Sequence, residues 1–455
     1  MKRVVVSGKY IQIISCISEP ENGQKIPLRC IIIPMILKDH RTEKNVILRM
    51  FADYWETFKV AYPTYDNNFY NSAIAAVFRC SDPEFGFKQL MCLSCGKESK
   101  IISFSCKSKF CLRCGRVSGE KFSHLIKDRL HPDVVYRHLT LTIPEQLRKY
   151  FYNTRLDSDL FNRFFRAGWE CVQSFVSEAL GRSIECGCLS VLHLVGRNCE
   201  YKPHLHIIMM AGGVDKKTGE WVRLDRFPYS ILHHCWKLVL MAMFREWDGA
   251  GYFAPEFSEL EERYDKGFVA TIQSGTVPKN SRNLVRYISK YLCRPHISLK
   301  RIREYDDLTG EVEYEYSSHK TKKKEVEQVG VLTFMGRLLQ QILPKGFQRI
   351  RYYGLQATKN QEKLKMIVAK AVGGFFLPVR ERGPEEKPKK PLYYRDLVAI
   401  WWRKDPFQCS NCGGTMELVR IWKPLKGFVF SVFRDLFGKD VGPQGKLPEF
   451  CFQQE

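Results

Sequence analysis

The chain has no uninterrupted apolar run approaching the ~18–20 residues needed to cross a bilayer. The best candidate, Cys30 to Leu37, is short and contains Pro34, so a membrane-spanning protein is not expected. A secretion signal is not expected either: the start Met1-Lys-Arg-Val-Val-Val6 carries the charge of one, but Ser7, Gly8 and Lys9 end the apolar stretch too early. There are no internal repeats. Acidic residues are scarce, 49 against 72 Lys and Arg, which leaves a net charge of +23 and a pI near 9.3. Such an excess calls for a polyanionic partner. Nucleic acid is the usual one, because each phosphate neutralised releases condensed counterions; a merely soluble basic surface is the alternative.

What is abundant is cysteine, 17 in 455 residues. Without a secretion signal these point to reduced thiols, some of them on metal, and to a cytoplasmic protein. The length allows two or three domains. Residues 1–44 show no convincing periodicity and are expected to be an extension without assigned function. Residues 45–126 should form a helical and zinc-binding module: Ile47, Phe51, Trp55 and Phe58, then Tyr70, Ile74 and Val77, recur at helical spacing either side of Pro63, and a cysteine-rich stretch from Cys80 to Cys114 follows. Residues 127–300 carry the remaining chemistry, 301–380 a basic continuation, 381–391 a linker rich in proline and charge, and 392–455 a C-terminal piece with Cys409-x2-Cys412.

Within 127–300 the order is strand (Val134 to Ile143), helix (Leu160 to Leu180), strand (Cys188 to Val195), strand (His204 to Met210) and helix (His233 to Trp247). Gly196-Arg197-Asn198 is a turn signal that makes the last two strands a hairpin. This is the order of a split α+β sandwich.

Cys92-x2-Cys95 and Cys111-x2-Cys114 stand fifteen residues apart, the spacing at which two tight turns offer four thiolates to one tetrahedral Zn²⁺. Cys106 lies in the same stretch and could replace one ligand. Lys107, Lys109, Arg113 and Arg116, interleaved with Phe104 and Phe110, would give this module a basic surface for DNA backbone contact. The lone Cys409-x2-Cys412 makes half a site with no obvious partner pair.

In Pro203-His204-Leu205-His206-Ile207 a strand puts both histidines on one face and Leu205 and Ile207 on the other. Two imidazoles aimed from rigid backbone suit a divalent metal. His193, on the neighbouring strand, is the candidate third ligand, subject to the strand register; half-buried, hydrogen-bonded histidines are the alternative. Ser281 to Arg294 predicts a helix ended by Pro295, with an apolar stripe of Leu284, Val285, Ile288 and Leu292. Tyr287 and Tyr291 sit side by side along its edge, with Lys290 and Arg294 just beyond. Phenols beside cations could attack a phosphodiester, although tyrosines also border apolar stripes for packing. Lys345, Arg349, Arg351, Tyr352 and Tyr353 interleave base and ring in a way suited to unpaired DNA.

These residues together resemble a family, the rolling-circle transposases of bacterial insertion sequences, which carry an HUH nuclease, an N-terminal zinc-binding domain and two tyrosines. The resemblance covers most of Asn45 to Lys359. It rests on Ser105-Cys-Lys-Ser-Lys-Phe-Cys-Leu-Arg-Cys-Gly115, Tyr136-Arg-His-Leu-Thr-Leu-Thr-Ile-Pro144, Pro203-His-Leu-His206, Tyr287-Ile-Ser-Lys-Tyr291 and Leu343-Pro-Lys-Gly-Phe-Gln-Arg-Ile-Arg-Tyr-Tyr-Gly354. It implies a ferredoxin-like HUH fold in which His204 and His206 hold Mg²⁺ or Mn²⁺ against a scissile phosphate of single-stranded DNA. It further implies that Tyr287 and Tyr291 are the nucleophiles that form a 5′-phosphotyrosine, and that the partners are transposon ends and target DNA. Lys202 departs from the pattern, standing where many relatives have another histidine. A plasmid relaxase or replication initiator would use the same chemistry, and a non-catalytic zinc-dependent DNA-binding protein would bind DNA and leave the strand intact.

Overall fold

The computed structural model describes residues 45–248, 254–278, 281–288, 297–318, 321, 323–373 and 393–437, apart from the isolated positions 109, 132 and 360, together with three short N-terminal strands. The chain divides into two units, Met1–Tyr70 with Ile297–Gly336, and Asn71–His296 with Arg337–Glu455. Each is assembled from stretches far apart in sequence. The expected linker at 381–391 lies outside the described residues.

In the first unit, β1 (Lys2–Ser7) and β2 (Tyr10–Ser15) pair antiparallel with Lys2 opposite Ser15, and β3 (Ile32–Ile33) joins β2. This pairing in the N-terminal stretch was not visible in its residue pattern. Helix α1 (Val46–Ala61) begins where the Asn45 side chain accepts the Leu48 N–H, an N-cap that satisfies one orphan donor. It buries Met50, Phe51 and Phe58. Arg49 and Tyr54 donate to the carbonyls of Tyr305 and Asp307. They tie it to the antiparallel meander of β13 (Ile302–Asp306), β14 (Glu311–Ser317) and β15 (Lys324–Gly330). Helix α2 (Asn68–Phe78) follows the turn at Pro63, as the spacing predicts.

The second unit is built on a five-stranded antiparallel sheet in the order β12 (Ala270–Ile272), β6 (Tyr136–Thr142), β9 (Tyr201–Met210), β8 (Gly187–Val195), β16 (Ile350–Gly354). Strand, helix, strand, strand and helix occur in the predicted order, and β8 and β9 form the predicted hairpin. The period of two sorts each strand into two faces. Leu205, Ile207 and Met209 of β9, with Leu139 and Leu141 of β6, face a core supplied by α5 (Asp159–Leu180) and α6 (Tyr229–Asp248), rich in Phe161, Phe164, Phe165, Phe175, Trp236 and Phe244. The approach is close: a Cβ on Gly168 of α5 would come within 2.5 Å of Leu205 Cδ1. Trp236 donates its ring N–H to the Thr142 carbonyl at 2.8 Å, fixing α6 against β6. Shorter helices α4 (Arg148–Asn153) and α7 (Ala254–Arg263) contribute Phe151 and Leu260 to the same core. The small strands β7 (Ile184–Glu185), β10 (Gly212–Asp215) and β11 (Trp221–Arg223) pair among themselves.

On the opposite face, Leu189 and Val191 of β8 and Ile208 and Met210 of β9 meet Ile126 of α3 (Leu112–Arg129), Leu284 and Ile288 of α8 (Ser281–Ile288) and Val368 of α10 (Gln361–Ala371). Helix α9 (Val331–Leu339) precedes β16. A second antiparallel sheet runs in the order β18 (Gly427–Ser431), β17 (Met416–Lys423), β4 (Phe87–Cys92), β5 (Ser99–Ser103). The C-terminal segment, with α11 (Tyr394–Trp402) and α12 (Val432–Phe437), thus joins the cysteine-rich region: Met416 pairs with Cys92 and Trp422 with Phe87. The protein is a mixed helix and antiparallel-sheet structure with clustered cysteines. Among the described residues no helix is long and apolar enough to cross a membrane.

Candidate metal and nucleophile site

The helix-covered half of the second sheet face is apolar, and the other half is lined by histidine. Register puts His193 of β8 opposite His204 of β9, and Thr140 of β6 opposite His206. Ligand atoms of His193, His204 and His206 lie within 4.8 Å of one another, and the ring centroids of His193 and His206 are 4.4 Å apart. The three histidines singled out by sequence are therefore brought together.

Hydrogen bonding fixes which ring nitrogens face outward. His204 Nδ1 is 2.6 Å from the Lys202 carbonyl, an acceptor, so Nδ1 carries the proton and Nε2 keeps a free lone pair. Lys202 thus serves the site through its backbone. Burial holds the His204 pKa down at about 4, so the ring is neutral at pH 7 and competent to bind a cation.

His206 Nδ1 lies 2.8 Å from His138 Nε2. His138 Nδ1 lies 2.7 Å from the Tyr287 hydroxyl, which in turn donates to Gln273 Oε1 at 2.8 Å. Because the last acceptor is an amide oxygen, neutral rings permit one consistent direction: His206 Nδ1–H to His138, His138 Nδ1–H to Tyr287, Tyr287 O–H to Gln273. That direction makes Nε2 the unprotonated ring nitrogen of His206, as in His204. His138 is buried, and desolvation lowers its pKa to about 4. His138 and Gln273 were missed by sequence reasoning. The available signal was the alternation of His138, Thr140 and Thr142 along one face of β6.

Tyr287 is half-buried on α8, whose Leu284 and Ile288 anchor it in the apolar part of this face. Tyr291, Lys290 and Arg294 lie outside the described residues.

The basic and aromatic residues near position 350 are engaged within the protein. Residues 350–354 form edge strand β16, so neighbouring side chains point to opposite faces. Arg351 faces the helices, its guanidinium 4.5 Å over the Phe165 ring and donating to Asn162. Arg349 donates to the Leu192 carbonyl at 3.1 Å. Tyr352 takes the other face beneath the Arg129 guanidinium at 4.6 Å, and Tyr353 stacks on Trp169. Lys345 is exposed.

The cysteines require a correction. Cys92, Cys95, Cys111 and Cys114 do not form one set. Cys80, Cys106, Cys111 and Cys114 make one cluster, and Cys92, Cys95, Cys409 and Cys412 another, each with its sulfurs within 4.8 Å. The reason is the hairpin of β4 and β5, which pairs Phe87 with Ser103 at its base and Met91 with Ser99 near its tip. Cys80 and Cys106 flank the base, whereas Cys92 and Cys95 form the tip. At about 3.4 Å per residue the two ends are roughly 17 Å apart, too far for one ion. In the base cluster the Cys80 sulfur is 3.5 Å from that of Cys114 and 3.7 Å from that of Cys111. A tetrahedron with Zn–S bonds of 2.3 Å has edges of about 3.8 Å, so these four thiols fit a structural Zn²⁺.

Comparison with known proteins defines the class. Residues 187–363, which include β8, β9, Tyr287 and β16, match the family described as "Putative transposase", and residues 50–143 match "Transposase zinc-binding domain". The chain thus resembles insertion-sequence transposases, and its residues 50–143 resemble their zinc-binding domain. It is 26% identical over 361 residues to the transposase for insertion sequence element IS801 of Pseudomonas savastanoi pv. phaseolicola, covering 75% of this chain and 82% of that one. It is 24% identical over 371 residues to "Putative transposase y4qJ" of Sinorhizobium fredii (strain NBRC 101917 / NGR234), covering 78% and 90%. No solved structure matches the chain.

Proposed function

We propose that the chain is a rolling-circle transposase that cuts and rejoins single-stranded DNA at the ends of a mobile element through a phosphotyrosine. The observation that carries this is the joining of three convergent imidazoles to a tyrosine: His193, His204 and His206 stand within bonding range of one cation, and His138 links His206 to the Tyr287 hydroxyl. An antiparallel sheet with helices, histidines on adjacent central strands and a tyrosine helix beside them is what an HUH endonuclease requires. The net charge of +23 supports a DNA partner.

His193, His204 and His206 would hold a divalent ion, Mn²⁺ more readily than Mg²⁺, which prefers oxygen ligands, with phosphate oxygens supplying the rest. Such an ion would polarise the scissile phosphoryl group and neutralise charge developing on it. Gln273 holds the phenol proton of Tyr287 and His138 orients its oxygen. In the attack, the Tyr287 oxygen bonds to phosphorus, the bond to the 3′-oxygen breaks, the phenol proton leaves its hydrogen bond to Gln273 for water, and the departing 3′-oxygen takes a proton from water. The products are a 5′-phosphotyrosine and a 3′-hydroxyl that can rejoin. Tyr291 would be the second nucleophile, holding one strand end while another is cut, with Lys290, Arg294 and Lys345 contacting phosphate. A plasmid relaxase or replication initiator would use the same centre; the transposase zinc-binding domain favours the first reading.

The test is to incubate the protein and Mn²⁺ with end-labelled single-stranded DNA carrying the element's terminus and to look for a covalent adduct on denaturing gels. An EDTA-sensitive adduct, lost in the Tyr287→Phe/Tyr291→Phe double variant, is expected. DNA binding without an adduct, on a verified terminus, would refute the nuclease and leave a zinc-dependent DNA-binding protein.

A further inference from the structure

The hairpin tip presents Cys92-Leu-Ser-Cys95-Gly96, and the C-terminal segment presents Cys409-Ser-Asn-Cys412-Gly413. The two turns are built alike. Gly96 N–H bonds to the Cys92 carbonyl at 2.9 Å and Gly413 N–H to the Cys409 carbonyl at 3.0 Å. Both glycines take positive φ, 63° and 76°, the left-handed conformation that glycine adopts without cost. They face each other, with Cys92 Sγ 3.5 Å from Cys412 Sγ and Cys95 Sγ 3.7 Å from Cys409 Sγ.

These separations are too long for disulfides, whose sulfurs lie about 2.05 Å apart. They match the edge of about 3.8 Å of a tetrahedron of thiolates around Zn²⁺. Iron–sulfur clusters, which interpose a cage of inorganic atoms between the thiolates, do not fit four sulfurs all within 4.8 Å. Around the sulfurs, Gly414 N–H and the Asn411 amide point at Cys412 and Cys95, donors of the kind that stabilise a charged thiolate. Ligands from positions more than 300 residues apart are thus preassembled. The β4–β17 pairing and the Lys100 ammonium, 3.0 Å from the Gln408 carbonyl, support them.

We propose that Cys92, Cys95, Cys409 and Cys412 hold a second structural zinc ion, separate from that of Cys80, Cys106, Cys111 and Cys114, which clasps the C-terminal segment onto the hairpin tip. Two of these ligands lie outside the region matched by the transposase zinc-binding domain. The clasp makes residues 393–437 part of that module. A chain ending before residue 393 would keep one zinc and lose the other.

The experiment is metal analysis of the purified full-length protein by inductively coupled plasma mass spectrometry, which needs neither DNA nor nuclease activity. Two zinc ions per chain are expected, falling to one in Cys409→Ser/Cys412→Ser and to one in Cys111→Ser/Cys114→Ser. One zinc in the wild type, or two retained in Cys409→Ser/Cys412→Ser, overturns the proposal, as does iron in place of the second zinc. Because either variant could misfold, zinc-edge X-ray absorption of the wild type provides a second measurement. All-sulfur coordination at about 2.3 Å is expected, and a substantial nitrogen or oxygen share overturns it.

Discussion

Replacing His138 with alanine should weaken divalent-cation binding at the histidine cluster without unfolding the protein. His138 is no ligand in this arrangement. Its Nε2, 2.8 Å from His206 Nδ1, fixes the His206 tautomer that turns the other ring nitrogen toward the cation. Partners of this kind, behind a metal ligand, are typically worth 10–100-fold in metal affinity, or about 1.4–2.7 kcal/mol. Thr140 Oγ1, 3.3 Å from the same nitrogen, can take over part of the bond, so the loss should lie near the lower bound. Thr140→Val added to His138→Ala should move it toward the upper one. The assay is Mn²⁺ titration followed by electron paramagnetic resonance, with a thermal melt to verify folding. His138→Gln, whose amide oxygen can accept from His206, should recover part of the affinity. A folded His138→Ala protein whose Mn²⁺ Kd stays within about threefold of wild type would refute the role of His138 in fixing the His206 tautomer.

Two further outcomes follow from groups away from the cation site. Arg351→Ala should lower the melting temperature, through loss of the Phe165 contact and the Asn162 bond, by the equivalent of about 1–2 kcal/mol. It should leave single-stranded DNA affinity and its salt dependence unchanged; a salt slope reduced by about one with no change in melting would instead assign Arg351 to a phosphate. His131 is buried, and desolvation lowers its pKa below the ordinary 6.5. The unfolded chain therefore takes up a proton at a pH where the folded one does not, so the stability this neutral ring contributes is complete above pH 6.5 and declines as pH falls below it. Melting curves between pH 7.5 and 5.5 should show wild type losing more stability than His131→Gln, and parallel losses would exclude the assignment.

The parts of the site that could be read from sequence are those decided by one strand or one helix. His204 and His206 alternate with Leu205 and Ile207, and α5 and α6 announce themselves by apolar spacing, because periodicity is local. His138 and Gln273 depend on which strand lies beside which, and that register is set by the packed sheet, not by any one strand. Arg349, Arg351 and Tyr352 show a different limit of local reading. Base and ring interleaved look like a surface for nucleic acid, but Ile350-Arg-Tyr-Tyr-Gly354 is a short aromatic, β-branched run. Once it pairs with β8, alternation sends Arg351 into the protein and Tyr352 to the opposite face. Composition suggested contact with DNA, and the strand period adds contacts within the protein that composition does not show.

The cysteines were miscounted for a reason that sequence alone could have exposed. Spacing favours pairing the two nearest Cys-x2-Cys turns, and this logic holds only if the intervening chain folds back between them. Here the intervening residues include the return strand of a hairpin, so one turn is carried to the tip and the other stays at the base, where α3 begins. The chain has three Cys-x2-Cys-Gly turns, at Cys92, Cys111 and Cys409, which together hold six thiols. Tetrahedral all-thiolate sites use four each, so three such turns can be filled only by recruiting two more cysteines. Cys80 and Cys106, placed just outside the two strands of the hairpin, are positioned to meet each other whenever that hairpin forms. Their presence makes eight, enough for two ions, and leaves the tip turn dependent on the remote one at Cys409.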